Sequence, residues 1–196
     1  MHLTRRTTLL ALAALPLARP LYAAPQSYRI NTNASRVAFI FKVAGARQSG
    51  QMPVLRSDVV IDPERLTQSR VDVTVSAARV RTGLFVATQA LKTSAMLDVA
   101  RHPEIRYRSR KIQLGSGGRL SDGARITGDL TIRGVTRPIV MDAALHRATS
   151  SASTDLSRLN IRLKGLLDRM AFGIDGYPQQ AGNEVQLEIT AVLDAV

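Results

Sequence analysis

Two histidines lie beyond the first two dozen residues, and acid–base chemistry would have to start from them. His102 sits in LDVARHPEI, four residues after Asp98 and two before Glu104. An imidazole oriented by a carboxylate can activate water or a serine against a small ester or a lipid ester. A hydrolase with His102 as base and Asp98 as its partner is therefore one alternative. Against it, no G-x-S-x-G elbow is present, and a histidine just before Pro103 reads as an exposed turn residue. His146 ends a strand on its polar face. Metal chemistry has less support. The chain has no cysteine and no histidine pair at ligand spacing, so zinc and copper sites are not expected. Asp62, Asp142, Asp168 and Asp175 are scattered, without the spacing of a calcium loop. No opposed carboxylate pair points to glycoside cleavage.

Charge suggests a different chemistry. Lys and Arg number 27 against 15 Asp and Glu, a formal balance of +12. Arg106, Arg108 and Arg110 alternate onto one face of a strand. Single-stranded nucleic acid would want aromatic platforms beside such a row, and the chain has four Phe, four Tyr and no Trp. No nucleic-acid partner is expected. The row reads as a solvated face, or one that meets anionic headgroups. It also permits a further alternative, an interaction module with a filled core that docks on a membrane enzyme through its arginines. Gly128 and Gly134 read as bulge or turn glycines, because a phosphate-binding loop would lead into a helix and here a strand follows.

The chain opens with a basic head, Arg5 and Arg6, a short apolar run from Leu9 to Leu17, and Leu21-Tyr22-Ala23 as a cleavage site. Residues 1–23 are expected to be an export signal and residues 24–196 one mature domain in the periplasm. Thr4-Arg5-Arg6 suggests the twin-arginine route, whereas Thr8 suits the general route better.

The elements that must position these groups have a dominant period of two. RVAFIFKV puts Val37, Phe39, Phe41 and Val43 on one face, and RVDVTV does the same with Val71, Val73 and Val75. EIRYRSRKI, LNIRLKG and VQLEITAVL alternate likewise, as do the two arms of ITGDLTIRGVTRPIVMDAAL. Each has one apolar and one polar face, as antiparallel strands packed on one side should. TGLFVATQALKTSAML, Thr82 to Leu97, instead aligns Leu84, Thr88, Leu91 and Ala95 at helical spacing, with Thr82 as cap and Pro103 beyond its end. The expected fold is mainly β: about eight antiparallel strands and one short helix, as a sandwich or a barrel. Parity fixes which side chains point inward. It leaves open whether they fill the centre or surround a hollow.

The hairpin ITGDLTIRGVTRPIVMD resembles the signature of the YceI-like family of bacterial polyisoprenoid-binding proteins. SYRINTNASRVAFIFKV, LKTSAMLDVARHPEIRYRS, LDRMAFGIDG and GNEVQLEI resemble other parts of that family in the same order, from Ser27 to Ala195. The resemblance implies an eight-stranded, lipocalin-like antiparallel barrel with a long apolar tunnel. It implies a bound isoprenoid lipid, of the quinone or polyprenyl phosphate class, carried without catalysis or a required cofactor in the periplasm. It leaves room for a homodimer and for transient contact with a membrane surface or a membrane redox partner. Lys42-Val43-Ala44-Gly45 and Gly50-Gln51-Met52 depart from the family pattern near the expected tunnel mouth.

On that reading the tunnel lining is Phe39, Phe41, Val73, Val75, Tyr107, Ile132, Met141, Leu145, Ile161, Leu163, Leu187 and Ile189. Phe85, Leu91 and Met96 from the helix would plug or gate one end, and Phe172 would close the other. A tail of about 40 carbons losing several hundred Å² of apolar surface gains on the order of 10–20 kcal/mol before ordering costs.

Overall fold

The computed structural model describes residues 24–62, 64–118, 122–146 and 156–196. The expected leader lies outside this range, as does the polar connector from Thr149 to Thr154. Eleven strands and one α-helix occupy the described chain: β1 Gln26–Ile30, β2 Arg36–Val43, β3 Ala46–Met52, β4 Val54–Ile61, β5 Arg70–Ser76, β6 Arg81–Thr82, α1 Phe85–Lys92, β7 Glu104–Leu114, β8 Ala124–Ile132, β9 Val135–His146, β10 Arg158–Asp168 and β11 Glu184–Ala195. All the strand pairings are antiparallel.

Eight strands close a barrel in the order β1-β4-β5-β7-β8-β9-β10-β11, with β1 returning to β11 through Tyr28–Ala195 and Ile30–Leu193. The long strand β11 is shared. Its last residues pair with β1, whereas Gln186 to Thr190 pair with β2. β2 carries β3, and β3 carries the two-residue β6. The wall therefore divides along β11 and extends beyond the ring as a three-stranded flap. Full closure satisfies both edges of the ring strands where they pair.

The β8–β9 hairpin closes on a two-residue loop. Ile132 faces Val135 directly, and the two residues between them, Arg133 and Gly134, have φ of 51° and 75°. Two positive φ values in a two-residue loop make the turn that matches strand twist. Pro138 is thus inside β9, opposite Asp129. Counting from the closing pair, it falls at a non-hydrogen-bonded position, so its missing N–H points away from β8. On that other side β9 does not meet β10 until Met141. Proline is tolerated there because no ladder needs its N–H.

Inward residues alternate with outward ones along β8, where Ile126, Leu130 and Ile132 are buried. In β7 a bulge between Ser109 and Lys111 shifts the register, so Tyr107 and Ile112 both face inward although they differ in parity. Outward arginines find carboxylates. Arg106 grips Asp72 with bonds of 2.8 and 2.6 Å, Arg108 reaches the same Asp72, and Arg110 pairs with Asp129. The expected basic row is therefore largely matched with acids across neighbouring strands.

Candidate functional site

Inside the barrel lies an elongated cavity of about 240 Å³. For comparison, an engineered apolar cavity of about 150 Å³ stays dry and takes up benzene. The walls are almost entirely hydrocarbon. Val73, Ile105, Leu163, Val185, Leu187 and Ile189 line it and are only partly buried, because their inner faces look onto space. Ile30, Ile61 and Leu193 line it near the β1–β11 closure, and Leu91, Met96 and Ile174 line it at the opposite end. The twelve-residue β11, at ~3.3 Å per residue, spans about 40 Å along its own tilted axis.

Two aromatic rings shape one wall. Phe39 and Phe41 stack with centroids 5.7 Å apart. Phe39 lies flat over Gly50, where a Cβ would sit 2.2 Å from its ring. Gly50 therefore admits the phenyl ring close to β3. Tyr107 lies over Gly128 in the same way, with a Cβ there 2.5 Å from the phenol oxygen.

Of the residues assigned to the lining from the sequence, Phe39, Phe41, Val73, Val75, Leu91, Met96, Tyr107, Ile132, Met141, Ile161, Leu163, Leu187 and Ile189 border the cavity. Three others sit elsewhere. Phe85 is 77% exposed on the outside. The helix starts at Phe85, with Leu84 rather than Thr82 as its cap residue, and only Leu91 is buried. Phe85 precedes Leu91 by six positions, about 120° round the helix. Thr82 instead belongs to β6, where its hydroxyl bonds the Leu84 carbonyl. Leu145 packs with Tyr28, Val59 and Leu159 in a second cluster near the β1 end. Phe172 is fully buried in the 3-10 turn Arg169–Phe172, beside Pro138, Ile139 and Leu167 where β9 and β10 part. It fills that gap in the wall.

Alternation and spacing do not single out Arg169, which is 3% exposed and borders the cavity. Its guanidinium donates to the carbonyls of Gly182, Ile174, Gly176 and Ala181 at 2.7–3.0 Å. It thereby ties the segment before β11 to the end of β10. The conspicuous run LDRMAFG was the available signal, but nothing in it says that carbonyls, with no acid, would surround the cation.

The acid–base alternative is not assembled. Asp98 is buried and its carboxylate is held by Arg101 at 2.5 Å. The His102 backbone N–H donates to the Asp98 carbonyl, and among the described residues its imidazole has no hydrogen-bond partner. No group of three metal-ligating side chains occurs among the described residues.

Comparison with known proteins agrees with this geometry. Residues 28–193 match the family described as YceI-like domain. The UPF0312 protein VPA0850 of Vibrio parahaemolyticus is 27% identical over 133 residues, covering 66% of this chain and 68% of its own length. BcnA of Burkholderia cenocepacia superposes with a TM-score of 0.71 at 17% identity, over 84% of this chain and 99% of that one. A polyisoprenoid binding domain from Saccharophagus degradans superposes with a TM-score of 0.60 at 10% identity, over 87% of this chain and 99% of its own.

Proposed function

We propose that this chain, which belongs to the YceI-like family, holds the tail of an isoprenoid lipid in its barrel, for storage or transport. The observation that carries the reading is the hydrocarbon-lined hollow between β1, β4, β5, β7 to β11 and the β2–β3 flap. Such a space favours a flexible apolar chain, because every methylene drawn in leaves water and meets side chains. The likeness to a polyisoprenoid binding domain supports the same ligand class. The headgroup classes proposed are quinone and polyprenyl phosphate, and the place of action proposed is the periplasm, on the strength of the N-terminal leader. Binding rather than turnover is the activity proposed, since Asp98 is committed to Arg101 and does not orient His102.

Loading has a natural point of contact. Leu84, Phe85 and Val86 are 50%, 77% and 78% exposed at the start of the helix whose Leu91 lines the cavity. Arg81 precedes them in β6, and Lys92 ends the same helix. An exposed apolar tip on a chain of net positive charge suits transient contact with an anionic bilayer surface. The test of the main reading is displacement of a fluorescent polyene from the barrel. Isoprenoid chains should displace it at micromolar concentration or below. A protein that takes up neither polyene nor isoprenoid contradicts the reading.

A further inference from the structure

Among the described residues, one buried side-chain polar atom has no hydrogen-bond partner: the hydroxyl oxygen of Tyr107. The residue is 9% exposed and borders the cavity, between Val73 of β5 and Leu130 of β7's other neighbour, β8. The other buried or half-buried polar side chains on the wall are satisfied. Ser35 accepts from the Val192 N–H, Ser69 accepts from the Asp62 N–H, and four of the five Arg169 N–H groups go to carbonyls. A phenylalanine at position 107 would line the same wall without an unmade hydrogen bond, whose absence in a hydrocarbon setting costs free energy. The ring also lies over Gly128, where an added Cβ would meet both the phenol oxygen and the Arg108 carbonyl at 2.5 Å.

We propose that Tyr107 is the polar anchor of the tunnel, its hydroxyl donating a hydrogen bond to a neutral acceptor oxygen of the carbonyl class on an otherwise hydrocarbon isoprenoid. The inference rests on the tail-binding function proposed above and specifies its ligand. Burial, helped by the nearby Asp129 carboxylate, pushes the phenol's pKa well above its ordinary value, so the group remains a donor. A lone neutral donor in a hydrocarbon wall suits a ketone or quinone oxygen, whereas a phosphate's charge would need several donors or a cation at the same point.

The test compares the full chain with its Tyr107→Phe variant, using two probes: an isoprenoid benzoquinone, and squalene, an isoprenoid hydrocarbon without oxygen. The anchor predicts that the quinone's Kd rises about 5- to 10-fold in the variant. Squalene should bind the variant as well as the wild type, or better. In the infrared, the quinone carbonyl stretch in the wild-type complex should lie below its position in hydrocarbon solvent and return towards it in the variant. Equal quinone affinity in both proteins, with an unshifted carbonyl, overturns the anchor, and so does a hydroxyl satisfied by trapped water that leaves both readouts unchanged. Should the variant fail to fold, the wild-type carbonyl frequency alone decides, shifted for the anchor and unshifted against it. A wild type that binds neither probe removes the tail-binding function as well. Squalene bound equally by both proteins, with no quinone preference, removes only the anchor.

Discussion

Replacing Leu187 by glutamate puts the hollow to a quantitative test. Leu187 faces the cavity from β11, between Phe39 of β2 and Gly165 of β10, and is only partly buried. A carboxylate there can keep some hydration while the barrel holds no lipid. An entering tail would strip that water away. Bringing an ion into such surroundings costs several kcal/mol after relaxation. Taking about 3–5 kcal/mol, affinity should fall by about 10²- to 10³-fold or more. The tail's own gain, on the order of 10–20 kcal/mol gross and largely offset by ordering, cannot absorb such a loss unnoticed. Leu166→Glu is the control, because Leu166 is 55% exposed on the outer face of β10. The assay is lipid bound per protein after incubation with isoprenoid-containing vesicles, with circular dichroism to establish folding. Binding by Leu187→Glu should recover as pH drops below the carboxylate range, since protonation removes the charge. A folded Leu187→Glu protein that carries lipid like the wild type at neutral pH would refute the idea that this wall meets the ligand.

Other expectations follow from the same geometry. Arg169→Met should lower the thermal midpoint markedly, because four carbonyls lose a charged donor and hydrogen bonds to charged groups are worth about 1.5–3 kcal/mol each; an unchanged midpoint would contradict the clasp. The Arg106 hydrogen bonds hold the Asp72 carboxyl below its ordinary pKa. Its contribution to stability is therefore present above the unfolded carboxylate pKa of about 4 and lost as pH falls through the lower folded value. Melting curves of wild type and Asp72→Asn should accordingly converge in acid and separate at neutral pH, and a constant gap would count against this. Phe85→Asp with Val86→Asp should weaken co-sedimentation with anionic vesicles while leaving capture of detergent-dispersed lipid intact; unaltered sedimentation would exclude the helix tip as the contact.

Much of the barrel was legible because its strands obey a period of two. The faces of β2, β5, β8 and β11 could be assigned by alternation alone, and most of the inward residues do border the cavity. What alternation misses is where the wall departs from regularity. The bulge in β7 changes parity between Tyr107 and Ile112, and no turn residue marks it. Helical spacing in TGLFVATQAL extends upstream of the real helix, since Leu84 has the right spacing from Leu91 but not the helical backbone, and that error brought Phe85 inward. Leu145 has correct parity, yet it lies at the end of β9 where the barrel is packed by Tyr28 and Val59. Division of β11 between β1 and β2 is a long-range pairing with no local signal. The hollow itself is invisible to parity, which determines direction but not distance across the centre.

Mass spectrometry of an organic extract from protein purified without detergent reads out whether the barrel surrounds an isoprenoid chain. The extract should contain an isoprenoid lipid in near-equal amount to protein, lost together with binding in Leu187→Glu and retained in Leu166→Glu. Native protein whose extract contains no isoprenoid, and which acquires none when offered it in vesicles, would show that the barrel is not an isoprenoid carrier.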